Sequence, residues 1–199
     1  MNDSPERAGG TREFDPGHLE SRLIHDGRVV HLSVDRVRFP DGSEGELELI
    51  RHRGASAVVP FLGDPAESDP TLVLIYQYRY AAGGFVYEIP AGIPTDGESW
   101  EECARRELEE ETGYIADALT HLTSIFTTPG FTNEEVHLFQ AHGLKRGSVS
   151  RDKDEFMEVK EFPFSKVLQM VGEGAIRDAK SLTGILLADR LRRDRGRGE

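Results

Sequence analysis

Residues 91–114 read AGIPTDGESWEECARRELEEETGY, and the placement of every other segment follows from them. The approach, Pro90 to Gly97, holds two prolines and two glycines, and Asp96-Gly97 is a turn signal. A helix is predicted from about Glu98 to Glu111, stopped by Thr112-Gly113 with Gly113 suited to the left-handed C-terminal position. Wound at about 100° per residue, Trp100, Cys103, Ala104 and Leu108 share one side, the candidate buried face. Glu107 and Glu111 fall inside the same arc, one turn apart, with Glu110 at its edge. Glu101, Glu102 and Glu109 lie outside it. Carboxylates beside a buried stripe repel one another and lose hydration. In the last helical turn they also oppose the macrodipole, which favours cations there. A bound divalent cation removes all three objections, and Mg2+, hard and oxygen-seeking, is the natural candidate, with Mn2+ able to substitute.

The competing reading is an acidic, solvated helix in which Glu110 pairs with Arg106. Spacing decides against it. From Gly92 the chain reads Gly, five residues, Glu98, seven residues, then Arg106-Glu107-Leu108-Glu109-Glu110-Glu111-Thr112-Gly113-Tyr114. This resembles the Nudix box of the Nudix hydrolases at Gly92, Glu98, Arg106, Glu107, Leu108, Glu110, Glu111 and Gly113. Tyr114 departs mildly, standing where an aliphatic residue is usual. The resemblance implies an α/β/α sandwich with a mixed sheet and hydrolysis of a nucleoside diphosphate linked to another group. It also implies metal ligation by Glu107, Glu110, Glu111 and the Ala91 carbonyl. Arg106 then orients the glutamates and Glu98 anchors the loop by ion pairing.

Composition is compatible. The chain of 199 residues suits one domain with a sizeable core. No apolar run is long enough to span a bilayer, and the N-terminus lacks the order of a secretion signal. Cys103 is the single cysteine, so no intrachain disulfide is possible and a cytoplasmic setting is expected. A net charge of −12 argues against general nucleic-acid binding and calls for local positive charge wherever phosphate is handled.

Along the chain, residues 1–18 read as a polar tail. Residues 19–52 read as a small N-terminal antiparallel sheet, with strands at Ser21–His25, Val29–Phe39 and Glu46–Ile50 and turns at Asp26-Gly27 and Asp41-Gly42. Its expected role is packing or homodimerisation. Residues 53–194 are expected to form the hydrolase domain. Strands are predicted at Gly54–Leu62, Thr71–Tyr80, Phe85–Ile89, Leu119–Thr127, Glu135–His142 and Phe156–Phe162. A charged loop is predicted from Gly143 to Asp154. Two helices end the fold: Ser165–Glu173, with Val167, Leu168 and Val171 on one face, and Lys180–Arg193, carrying Leu182, Ile185, Leu186 and Leu191. Strands with interspersed helices sharing one core imply a mixed sheet covered on both faces.

The flanks refine the resemblance. Pro129, sixteen residues after Gly113, together with QYRYAAGGFVYEIPAG and RHRGASAVVP, resembles the ADP-ribose pyrophosphatase subgroup. By that likeness the substrate is ADP-ribose, cleaved to AMP and ribose 5-phosphate, or another nucleoside diphosphate sugar such as GDP-mannose. Arg79 would contact the adenosine or diphosphate, and an edge-of-sheet ion pair is the equal alternative. Glu134 would bind substrate hydroxyls, Ile93 would line the ribose-phosphate pocket through its backbone, and Glu88 would meet a ribose. Arg51 or Arg53 would reach across a dimer. In RDKDEFMEV, Glu155 aligns with a metal position and Lys153 stands where some relatives carry the base, so the base is Glu110 or Glu155. A non-catalytic ADP-ribose sensor and an acidic scaffold are the readings from other classes. The seven histidines have no ligand spacing.

Overall fold

The computed structural model describes residues 17–147 and 156–195. At its N-terminal end β1 (His18–Asp26), β2 (His31–Arg38) and β3 (Glu44–Arg51) form an antiparallel sheet in that order. Its two turns lie where the sequence placed them, closed by Gly27 N–H to Val30 O and Gly42 N–H to Phe39 O, each 2.9 Å. Asp35 is buried on β2 and accepts hydrogen bonds from Ser21, Ser33 and Arg51. The sheet meets the body at Ile50, whose N–H reaches Phe131 O at 2.8 Å and whose carbonyl takes the Asn133 N–H.

In the body, β4 (Ala55–Pro60) is buried on both faces, as a central strand with a parallel neighbour must be. Ala57 and Val59 face the larger core, shared with Leu72, Leu74, Ile89 and Ile185. Val58 faces a smaller core with Ala104, Leu108 and Phe139. β4 runs parallel to β9 (Glu135–Arg146) and antiparallel to β7 (Ala91–Gly92), and β8 (Tyr114–Phe126) flanks β9. A second sheet holds β5 (Thr71–Arg79) between β6 (Gly84–Glu88) and β10 (Met157–Pro163). The expected mixed sheet is β7-β4-β9-β8, and the antiparallel sheet β10-β5-β6 meets it at a Phe61–Leu72 bridge. The chain changes partner there: Phe61 N–H goes to Ala141 O and Leu62 N–H to Thr71 O, just after Pro60, which has no N–H to give. Helix α1 (Trp100–Thr112) covers one side; α2 (Phe164–Gly172) and α3 (Ala179–Arg195) cover the other. The architecture is α/β/α.

Two local expectations are corrected, and α3 shows its inward face. β8 starts at Tyr114 rather than near Leu119, because Tyr114 and Ala116 are buried while Ile115 and Asp117 are not, an alternation hidden by weak strand formers. β9 continues to Arg146, into the stretch assigned to a loop. On α3 the inward residues are Ser181, Ile185 and Ala188, while Leu186 and Leu191 are exposed, off the face that Ile185 defines.

Helix α1 starts at Trp100 because Ser99 caps it. The Ser99 hydroxyl accepts the Glu102 N–H, and the Glu102 carboxylate returns to the Ser99 N–H. Ser99→Ala is expected to cost about 1 kcal/mol of stability, read from urea denaturation. The helix ends at Gly113, whose φ of 73° and N–H to Glu109 O form the predicted left-handed cap.

Candidate active site

Helix α1 and the loop before it converge on Arg106. Its Nε and Nη2 grip the two Glu98 oxygens at 2.8 and 3.0 Å. Its Nη1 donates to Glu107 at 2.6 Å and Glu110 at 2.9 Å, and Nη2 also reaches the Ile93 carbonyl at 3.1 Å. Glu98 further accepts the Thr95 N–H at 2.8 Å. Hydrogen bonds from Arg106 hold the Glu98 carboxyl below the usual carboxylate range, and Glu98 in turn raises Arg106. One guanidinium thus clamps the loop to the helix and holds Glu107 and Glu110.

Glu111 is 3% exposed. Its carboxylate accepts the Ala91 N–H at 2.9 Å, so β7 and the helix end are fixed against each other. The Gly92 position is compulsory for a steric reason: a Cβ there would fall 2.0 Å from a Glu107 oxygen. Gly92→Ala is expected to displace the Glu107 carboxylate and lower kcat by ~10- to 100-fold, on the scale expected for an ångström-sized misplacement, with little change in the thermal melt. Cys103 is buried, and burial with the Glu107 charge pushes its thiol up to about 12; it belongs to the core and is no nucleophile.

The donor set suits a hard divalent ion in type and charge. Glu107 and Glu111 lie one turn apart over the Ala91–Gly92 backbone, and Gly92 leaves room where any side chain would intrude. Among the described residues no three His, Cys, Asp or Glu side chains stand together as a complete ligand group. Water and phosphate oxygens would share the shell with these carboxylates, as is usual for magnesium. Glu155, together with Asp152, Lys153 and Asp154, lies outside the described residues.

A second group adjoins the first. Arg79, at the end of β5, binds Glu88 with Nε and Nη2, both at 2.9 Å. Glu88 also takes Lys180 Nζ at 2.6 Å, and Lys180 reaches Asp178 at 3.0 Å. Burial pushes the Glu88 carboxyl up, but hydrogen bonds from Arg79 and Lys180 outweigh it and leave it below the usual range. These residues, with Ala81, Ala82, Val86 and Arg177, line a cleft of about 510 Å³. Arg79 also feels the Glu111 charge, so the cleft lies within electrostatic reach of the helix carboxylates. The ion pair and the cleft position of Arg79 are both present.

Glu134 and Arg51 stand apart, near the junction of the N-terminal sheet and the body. Glu134 accepts from Thr127 at 2.7 Å and lies 3.5 Å from His52 Nδ1. Arg51 is held by Asp35 at 2.6 Å and Ser21 at 3.1 Å. Arg53 pairs with Asp96. Sequence reasoning did not find Asp178, Lys180 or Arg177 as cleft residues. Asp178 could be read as the α3 cap, since it accepts the Ser181 N–H. Nothing local announces Lys180, whose partner Glu88 is 92 residues away.

A NUDIX domain model matches residues 51–183. The chain is 38% identical over 169 residues to an ADP-ribose pyrophosphatase of Bacillus subtilis strain 168, covering 84% of this chain and 89% of that protein. It is 37% identical over 174 residues to a methanol dehydrogenase activator of Bacillus methanolicus, covering 86% and 91%. It is 34% identical over 146 residues to a GDP-mannose pyrophosphatase of Yersinia enterocolitica serotype O:8, covering 69% and 74%. The crystal structure of an ADP compounds hydrolase matches with a TM-score of 0.77 at 21% identity, over 94% of this chain and 100% of that one, a likeness of fold. With the glutamate helix, its glycine and its arginine clamp all inside the matched span, the chain belongs to the Nudix hydrolases.

Proposed function

We propose that this enzyme hydrolyses the diphosphate bond of ADP-ribose, giving AMP and ribose 5-phosphate, with Mg2+ as its ion and Mn2+ as a substitute. The observation that carries the reading is the pair of inward carboxylates, Glu111 fixed by the Ala91 N–H and Glu107 packed over Gly92. The named activity of the Bacillus subtilis relative supports the substrate class. Bound divalent ions supply charge neutralisation on the phosphate oxygens and acidify water. Glu107 and Glu111, with the Ala91 carbonyl, are the residues that would hold them, joined by Glu110 and Glu155.

The remaining work falls to the protein. Arg106 keeps Glu107 and Glu110 in place through Nη1. A carboxylate, Glu110 or Glu155, orients the attacking water and accepts its proton for in-line displacement at phosphorus. Glu110 is 39% exposed, which gives it access to water. Arg79 meets the diphosphate or adenosine portion from the neighbouring cleft, with Glu88 setting its orientation. Ile93 is exposed at the mouth of the loop and lines the ribose-phosphate portion; Glu134 binds substrate hydroxyls.

The N-terminal sheet, with Leu23, Ile24, Val29 and Leu47 exposed, is assigned to homodimerisation, bringing Arg51 toward the partner's substrate; light scattering giving a monomer mass would sink this. A cytoplasmic location accords with the lone, buried cysteine. The second reading is the same chemistry on GDP-mannose, favoured by the Yersinia relative. Purified protein assayed in Mg2+ against a panel of nucleoside diphosphate sugars separates the two. Ligand binding with no turnover on any of them would instead indicate a sensor.

A further inference from the structure

We propose that Arg177, just before α3, is an anion-binding residue of the cleft beside Arg79, and that its guanidinium takes a phosphate oxygen of the ligand. The other charged groups lining the cleft are committed to one another. Arg79 spends Nε and Nη2 on Glu88. Lys180, with its side chain 14% exposed, is divided between Glu88 and Asp178. Asp178 also accepts the Ser181 N–H and hydroxyl, so its charge is spent on the start of α3. Two cations thus face two anions, and the wall they form has no net charge of its own.

Arg177 lines the same cleft and makes no hydrogen bond or ion pair with the described residues. It is the charge that makes the cleft attractive to an anion. In a chain with a net charge of −12, an arginine that faces a cleft of about 510 Å³ with no partner among the described residues stands out from arginines 36, 38, 105, 190 and 193, which pair with nearby acids. A planar guanidinium offers phosphate two parallel donors. Ala81, Ala82 and Val86 supply the apolar wall on which the organic part of a phosphate ester can lie. Lys180 has an indirect part. Without it, Arg79 alone would offset Glu88 and Asp178, and the wall beside Arg177 would carry a net negative charge.

The nature of the ligand rests on the hydrolase reading above; the anion site does not. The test therefore uses inorganic pyrophosphate in chelator, without divalent ion. The helix carboxylates then repel the probe, leaving the cleft as the place for it. Calorimetry should detect binding to the full-length protein, weakened about tenfold in Arg177→Ala and partly restored in Arg177→Lys, with unchanged thermal melts. Lys180→Met should weaken binding as well, and Lys180→Arg should restore it. In the metal-loaded enzyme, Arg177→Ala should raise KM for nucleoside diphosphate sugars about tenfold with kcat within twofold. No pyrophosphate uptake by the parent protein, or equal uptake by Arg177→Ala, overturns the inference. A parent protein that binds pyrophosphate through Arg177 but cleaves no member of the substrate panel overturns the hydrolase substrate reading instead.

Discussion

Glu111→Gln is expected to abolish most turnover, lowering kcat by ~100-fold or more, the scale seen when a group acting in proton transfer or charge stabilisation is lost. The substitution isolates charge from structure. Glutamine keeps an oxygen that can accept the Ala91 N–H at the 2.9 Å position, so β7 remains fixed to the helix end. It also relieves the repulsion between like carboxylates one turn apart, and the variant should melt at or above the parent temperature. Steady-state assays at saturating Mg2+, paired with a thermal melt, read both effects. Activity near the parent level would remove Glu111 from the ion-binding set. A lower melting temperature would mean that its charge serves the fold.

Arg106→Ala should harm both activity and stability. The guanidinium bonds Glu98, Glu107, Glu110 and the Ile93 carbonyl, and its removal leaves several carboxylates facing one another. The group is 28% exposed, so the cost is well below that of a fully buried pair, about 1–2 kcal/mol. The pH dependence gives the diagnostic sign. In the parent protein Glu98 is held below the usual carboxylate range. Its contribution is therefore present above the unfolded carboxylate value and is lost as pH falls through the folded one. The variant has little of that contribution to lose. The stability gap should be widest near neutral pH and close in acid, as measured by denaturant melts across the carboxylate range. A gap independent of pH would assign Arg106 to packing through its stem.

These two residues were legible in the chain because their signals are local. Gly92, Glu98, Arg106, Glu107 and Glu111 lie within one loop and one helix, where spacing along the sequence is spacing in space. The central strands were legible for a related reason, since Ala57–Pro60 of β4 and Leu72–Ile75 of β5 are buried at every position and read as short apolar runs. The start of β8 was hidden, because Ala116 and Asp117 carry little strand preference and only their alternation of burial marks them. The break of the body into two sheets was hidden too. It depends on where the chain trades Ala141 for Thr71 as hydrogen-bond partner, a long-range choice. The cleft was the least legible part. Lys180 acquires its meaning from Glu88, and no periodicity within α3 encodes a partner on β6. Leu186 and Leu191 turn outward on α3, a direction that composition does not give.

Ser181 on α3 is fully buried, and its hydroxyl accepts the Ile89 N–H at 2.8 Å. Ile89 opens the Pro90–Gly92 segment on which the glutamates close. The loop before the glutamate helix is thus pinned by a helix that is made well after it. On the ribosome, a nascent chain that already contains every residue of the glutamate helix still lacks this pin. Competence should therefore arrive late and in one step, when α3 emerges and docks. A truncation or fusion that unwinds α3 would silence the enzyme while leaving its signature motif intact.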